Sequence, residues 1–406
     1  MYGWLLELPC SQAVQLTFGY AKVRSATAKN MAQGRCEGSG QHVLRRVMDR
    51  GVALLLAPVL CMALIGGLMP TDAAWAALPQ GNAVKDPNAI LRNALPIEAP
   101  DLQDLQRRLE STSDDLRAKR WSALASTTKR SQALLNSKHD AMLAAVPEAK
   151  RTQAEALLDQ LKPELDALAE ASQSEQRDAF LDARRAALDT IGDLEELQVQ
   201  AFPFAIPAEF DALPRLLGRA TVAIETSKGR LTAVIDGYNA PITGGAFVDL
   251  VRRGFYDGLP FIRAEDFYVL QTGDPKGPNE GFIDPTSKQE RTVPLEIRIT
   301  GDAAPIYNET FEDVGRFKAE AVLPFATYGT LGWAHSDEHL DDGSSQFFFF
   351  LYEPELTPAG LNLVDGRYAA FGYVVDGMDV LEELGVDDTI IKATVIDGGD
   401  NLKAHA

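Results

Sequence analysis

His335 and His339 stand four residues apart beside Asp337, Glu338, Asp341 and Asp342, and imidazoles with carboxylates are the donor types that hold a transition metal. The Asp and Gly content around them reads as a loop, and the acidic run lacks the glycine and terminal glutamate of an EF-hand loop. No metal centre or cofactor is expected. Ser344 and Ser345 have no His and Asp in a matching constellation, so a hydrolase is not expected either.

The elements that would position any chemistry begin after a leader. Gly51 to Met69 is uncharged, follows Arg45, Arg46 and Arg50, and precedes Ala74, Trp75 and Ala76, the layout of a cleavable signal peptide over 48–76. A permanent membrane anchor is the alternative, because the run is just long enough to span a bilayer. Residues 1–47 read as a transit peptide or as sequence upstream of a start at Met31 or Met48. Beyond the cleavage site the chain keeps 32 Lys and Arg against 54 Asp and Glu, a net charge of −22, which makes nucleic acid and anionic lipid poor partners. Cys10, Cys36 and Cys61 all precede that site, leaving no disulfide, cysteine-based metal site or thiol nucleophile in the mature chain.

With 406 residues, 46% of them hydrophobic and 24% charged, the chain is expected to hold more than one globular domain. An extended linker is expected over 77–100. Between 101 and 200 apolar residues recur at helical spacing: Leu102, Leu105 and Leu109; Leu158, Leu161, Leu165 and Leu168; Leu188, Ile191, Leu194 and Leu197. Ser111 and Ser113 are candidate caps, Pro147 suits a first helical position, Ser172 with Glu175 forms a capping box, and Pro163 should kink or restart its helix. About four helices in an up-and-down bundle follow, with the leucines as core. Phe202, Pro203, Pro207 and Pro214 mark a connector over 201–217. From 218 the pattern becomes that of strands: Thr221–Thr226 and Arg230–Ile235 around Ser227, Lys228 and Gly229 read as a hairpin, Phe247, Leu250 and Val251 as a short helix, and Ala369–Val375 and Ile390–Ile396 as strands. The fold class is α + β multidomain, a helical bundle followed by an antiparallel β-barrel with short helices.

Three stretches of the second domain carry a resemblance. Gly244 to Pro275 contains YDG, FIR and QTGDP; Gly343 to Phe350 is GSSQFFFF; Asp365 to Val374 is DGRYAAFGYV. In order and spacing these resemble the signatures of the cyclophilin family of peptidyl-prolyl isomerases, over 218–406. The family accelerates rotation about the bond before proline, which amide resonance opposes with a barrier of ~18–20 kcal/mol. Such a site needs an apolar pocket for the ring and a fixed donor for the twisted amide, a task suited to a guanidinium that is always charged. The resemblance places the catalytic arginine at Arg263 and its glutamine at Gln271. It places the aromatic pocket floor at Phe348, and the rest of the pocket at Tyr268, Val269, Gln346, Val364, Leu363, Tyr368, Ile262, Ala334 and His335, the last at a position that contacts peptide backbone.

Ile262 replaces the family's histidine and Leu363 its tryptophan, which favours binding over turnover. Lys276 to Phe325 replaces a short glycine loop and, with Glu280, Asp284, Glu290 and Glu296, either reshapes the groove or is a solvated insertion. The strings QTGDP, VPLEI, ELTP and DGRYA resemble a narrower group, the multidomain cyclophilins of the thylakoid lumen, whose helical domain is similar to a small photosystem II extrinsic subunit and which assist photosystem II assembly. The resemblance implies residence in the thylakoid lumen, with a periplasm as alternative. It implies as partners proline-containing segments, namely lumenal loops of photosystem II subunits, with membrane association only through them. Three roles follow: a weakly active proline-binding assembly factor, a fully active isomerase, or a structural protein whose bundle closes the groove.

Overall fold

The computed structural model describes residues 84–351 and 364–403; the expected leader and Leu363 lie outside the described residues. Helix α1 is Pro87–Asn93, where an extended linker was expected. Asp86 caps it by accepting from Asn88 N at 3.0 Å, and Pro87 occupies the first turn, where its missing N–H costs nothing. The segment orders because it has something to bury: Ile90, Leu91 and Ala94 pack into the core of the β-domain.

The bundle consists of α2 (Pro100–Glu110), α3 (Thr112–Arg117), α4 (Trp121–Ala144), α5 (Arg151–Gln173) and α6 (Arg177–Leu197). Helices α2, α4, α5 and α6 pack in a closed ring around Leu105, Leu109, Leu124, Leu158, Leu165, Phe180 and Ile191, all fully buried. Each such leucine contributes about 1.5–3 kcal/mol of transfer free energy, which outweighs the local signals. Thus α5 runs through Pro163 without restarting, its leucine stripe anchored on both sides. Ser172 lies buried inside α5, its hydroxyl bonded to Ala169 O at 2.8 Å, so the capping box does not form. Ser111 and Ser113 likewise bond backward, to Arg108 O and Glu110 O, and cap nothing. Pro147 precedes a 3₁₀ turn, Glu148–Lys150, instead of opening α5.

The second domain opens with the short strand β1 (Arg215–Leu216), then the expected hairpin, β2 (Arg219–Thr226) and β3 (Arg230–Asp236). Helix α7 (Pro241–Arg252) follows, then β4 (Phe261–Glu265), β5 (Val269–Thr272), β6 (Glu296–Ile297), β7 (Ile306–Tyr307), β8 (Thr330–Trp333) and β9 (Phe347–Phe350). The chain ends in β10 (Ala370–Asp376), the short helix α8 (Met378–Glu382), β11 (Ile390–Asp397) and β12 (Leu402–Lys403). Eight strands form one antiparallel sheet in the order β11-β2-β3-β10-β8-β9-β5-β4. Its two ends meet where Phe261 N donates to Asp388 O at 3.1 Å and Ile390 N to Leu259 O at 2.9 Å, which curls the sheet toward a barrel. Phe247 on α7 packs edge-on to Phe347 and tilted on Phe371, so the helix fills the core.

The segment 276–325 is more than a solvated insertion. Phe282, Val293, Leu295, Ile297, Phe311 and Phe325 bury into the domain core, while Glu280 and Glu290 are exposed. Glu296 is fully buried, and its Oε2 accepts from Ile242 N at 3.0 Å and Thr243 N at 2.9 Å, placing a carboxyl at the positive end of α7. Burial pushes this group up to about 7, against the pull of those donors.

Candidate functional site

Strand register lines up the site. Arg263 on β4 stands opposite Gln271 on β5, Gln271 opposite Phe348 on β9, and Phe348 opposite Gly332 on β8. One row of four positions therefore crosses four strands on one face. Its alignment depends on a register shift between Phe261 and Arg263, which leaves Ile262 between paired residues. Ile262 consequently turns to solvent and does not line the pocket, contrary to the expectation from the resemblance.

Gly332 makes room for the floor. A Cβ there would fall against the edge of the Phe348 ring and 2.8 Å from Cε1 of Phe325, so only glycine lets Phe348 lie down across β8. Phe348 is 5% exposed, stacked on Phe325 at a centroid distance of 5.8 Å and met edge-on by Tyr368 at 5.6 Å. Around it a cavity of about 260 Å³ is lined by Arg263, Tyr268, Val269, Gln271, Ala334, His335, Val364 and Tyr368, with Ser336 and Asp337 added by the 335–342 loop. Among the described residues none from the helical domain lines it.

Polar groups converge at one side. Gln271 Nε2 donates to Gln346 Oε1 at 2.8 Å, and Gln346 Nε2 donates to Glu280 O at 2.9 Å, so the 276–325 segment braces the glutamine pair. Gln346 supports the pocket from behind and is not among the residues lining it. The His335 ring stacks on Tyr368 at 4.6 Å, with Nε2 2.9 Å from Arg367 O and Nδ1 2.7 Å from Ser336 O. Both ring nitrogens of His335 are thus within reach of backbone carbonyls, and among the described residues no cluster of three His, Cys, Asp or Glu side chains is placed to hold a metal ion. Burial, with Asp337 adding, holds the Tyr368 phenol above its ordinary value.

Arg263 is about half exposed, its guanidinium 5.9 Å from the Tyr268 ring centroid. Its Nε donates to Glu265 Oε1 at 2.7 Å and its Nη2 lies 2.6 Å from the same oxygen. Two faces of the donor set are thereby engaged by a residue two positions along the same strand. Sequence reasoning missed Glu265 and Gly332, and noted Asp337 only as a metal donor and not as a lining residue. The first has a signal in the i, i+2 spacing that puts both side chains on one face of a strand; Gly332 has none without the register.

Two family models match the chain. Residues 221–399 match "Cyclophilin type peptidyl-prolyl cis-trans isomerase/CLD", and residues 86–199 match "Peptidyl-prolyl cis-trans isomerase CYP38-like, PsbQ-like domain". A protein of Synechocystis sp. named as a thylakoid lumen peptidyl-prolyl cis-trans isomerase is 50% identical over 364 residues, covering 89% of this chain and 96% of its own. The chloroplastic peptidyl-prolyl cis-trans isomerase CYP38 of Arabidopsis thaliana is 39% identical over 338 residues, 80% of this chain and 77% of its own. The chloroplastic CYP37 of the same plant is 30% identical over 338 residues, 77% and 69% respectively.

Proposed function

We propose, given that the chain belongs to the cyclophilin-type peptidyl-prolyl cis-trans isomerase family, that it binds proline-containing protein segments in the pocket over Phe348 and turns them over only weakly. The observation that carries this is the pairing of Arg263 with Glu265 beside an open apolar floor. The floor takes a proline ring by burial of apolar area. The twisted amide is stabilised only by donors that strengthen toward it, and a carboxylate already holding Nε and Nη2 competes for them. We place the protein in the thylakoid lumen, exported by a cleavable signal, as a chaperone in photosystem II assembly whose clients are proline-containing lumenal loops of that complex; the names of the relatives support the compartment.

The test is calorimetric binding of a proline peptide to the full chain alongside a protease-coupled isomerisation assay. Binding is expected with low turnover, and Arg263→Ala is expected to lower the remaining kcat by about 10²-fold, as loss of one preorganised donor does. Turnover unchanged by that substitution would sink any catalytic role for Arg263, and absence of binding would sink the pocket. A fully active isomerase is the second reading, favoured by the placement of Arg263 directly across from Gln271. It predicts high turnover lost in the same variant. A groove closed by the helical domain is not favoured, since that domain docks elsewhere on the barrel.

A further inference from the structure

Two carboxylates stand at the pocket beyond those needed to hold a proline. Arg263 is the one Arg or Lys among the described lining residues, and Glu265 offsets its charge at 2.6 Å. Asp337 also lines the cavity, close enough to Tyr368 for its carboxylate to take part in raising the phenol, after burial. Arg263 and Asp337 in the lining cancel, and Glu265, outside the lining but paired with Arg263, makes the charge around the apolar floor of Phe348, Val269 and Val364 negative. When a proline ring fills that floor, its flanking residues in an extended segment lie along the rim, where these carboxylates are. A cation there is attracted and an anion repelled, in a solvent-exposed setting that salt screens.

We propose, on the premise that this cavity is the proline pocket, that Glu265 and Asp337 make it select segments carrying Lys or Arg beside the proline and reject those carrying Asp or Glu. The selection works through charge balance. Removing Glu265 both deletes an anion and leaves Arg263 unopposed, so its loss shifts the lining by the full charge of the arginine.

The probe is a set of three acetylated hexapeptides that differ only in the residue preceding proline, Lys, Ala or Glu, titrated calorimetrically into the full chain. At low salt the Lys peptide is expected to bind about fivefold more tightly than the Glu peptide, the scale of exposed charge pairs, and the ratio should collapse toward one in half-molar salt, where the Debye length falls to about 4 Å. In the double variant Glu265→Gln, Asp337→Asn, folding verified by a thermal melt, Arg263 alone remains and the Glu peptide should become the tighter ligand. Equal affinity for all three peptides in the unmodified chain overturns the selection and leaves the pocket standing. A Lys preference that persists in the double variant or in high salt also overturns it. Failure of every peptide to bind removes the pocket and this inference with it.

Discussion

The pocket over Phe348 and the seam between the two domains are built on the same barrel, yet they handle charge in opposite ways. At the pocket, Arg263 and Glu265 are each about half exposed, and the geometry rests on backbone register and on Phe348 lying over Gly332. At the seam the charges are buried. Arg219 on β2 donates to Asp236 Oδ2 from Nε at 3.0 Å and Nη2 at 2.8 Å, and Nη2 also donates to Leu91 O at the end of α1. Asp236 Oδ1 accepts from Asn239 N and Nδ2, both at 3.0 Å, and Asn239 Nδ2 donates to Ala94 O at 2.9 Å. On the bundle side of α1, Arg92 lies 3.4 Å from Glu110. A cleft of about 710 Å³, lined by α1, α6 and strands β2 and β3, remains beside this network. Exposed charges can tune selectivity at little cost to the fold, whereas buried ones tie domain to domain and cannot change singly.

The largest effect that would sharpen this contrast comes from Asp236→Ala. It removes the acceptor of four hydrogen bonds, a fully buried carboxylate, and leaves Arg219 with Leu91 O and a Glu196 carboxylate 4.0 Å away. Breaking one partner of a buried pair costs about 3–5 kcal/mol. Urea unfolding of the full chain is expected to show that loss, with proline-peptide affinity little altered while the protein remains folded. A loss under about 1 kcal/mol would put the seam in the class of surface pairs and break the comparison.

Gly332→Ala should act next most strongly, and at the other region. The added methyl meets Phe348 and Phe325, and such overpacking costs about 1–3 kcal/mol. Because the displaced ring is the pocket floor, peptide affinity should fall by about tenfold or more, in keeping with the cost of one misplaced methylene in an apolar pocket. A variant that is destabilised but binds normally would separate the floor from Phe348.

These two positions also mark how far the sequence was legible. Arg263, Gln271 and Phe348 were identifiable because each sits inside a short motif that is contiguous in the chain, FIR, QTGDP and GSSQFFFF. The leucine stripes of the bundle and the β2–β3 hairpin were equally open to reading, since burial has a period. What escaped was set across the chain. Gly332 matters because β8 pairs with β9, and Ile262 leaves the pocket because β4 slips one residue against β5. The segment before α2 looked like a linker because a seven-residue helix is unstable alone; α1 forms by docking Ile90 and Leu91 on the barrel. Ser172 with Glu175 was a valid local signal that lost to the continued leucine stripe of α5.

The smallest expected effect is a pH dependence, and it separates the regions once more. Glu195 on α6 is 1% exposed, and neither of its carboxyl oxygens has a hydrogen-bond partner among the described residues. Burial pushes it from an ordinary 4.5 up to about 7, with Arg92 and Arg219 pulling it down and Glu110 pushing with burial. Glu296, also near 7, behaves alike at the start of α7. A carboxyl whose folded value exceeds its unfolded one binds protons more tightly when folded, so its contribution is complete below about 4.5 and is lost as pH rises through 7. The chain should therefore be more stable at pH 5.5 than at pH 8, by about 1–2 kcal/mol for each group. Glu195→Gln should raise stability at pH 8 and flatten part of the profile, because the amide keeps the uncharged form at every pH. Chemical denaturation at the two pH values decides the matter. Stability that falls on acidification would mean that Arg92 and Arg219 hold Glu195 ionised, and the seam would then owe its strength to paired charge instead of to a neutral buried acid.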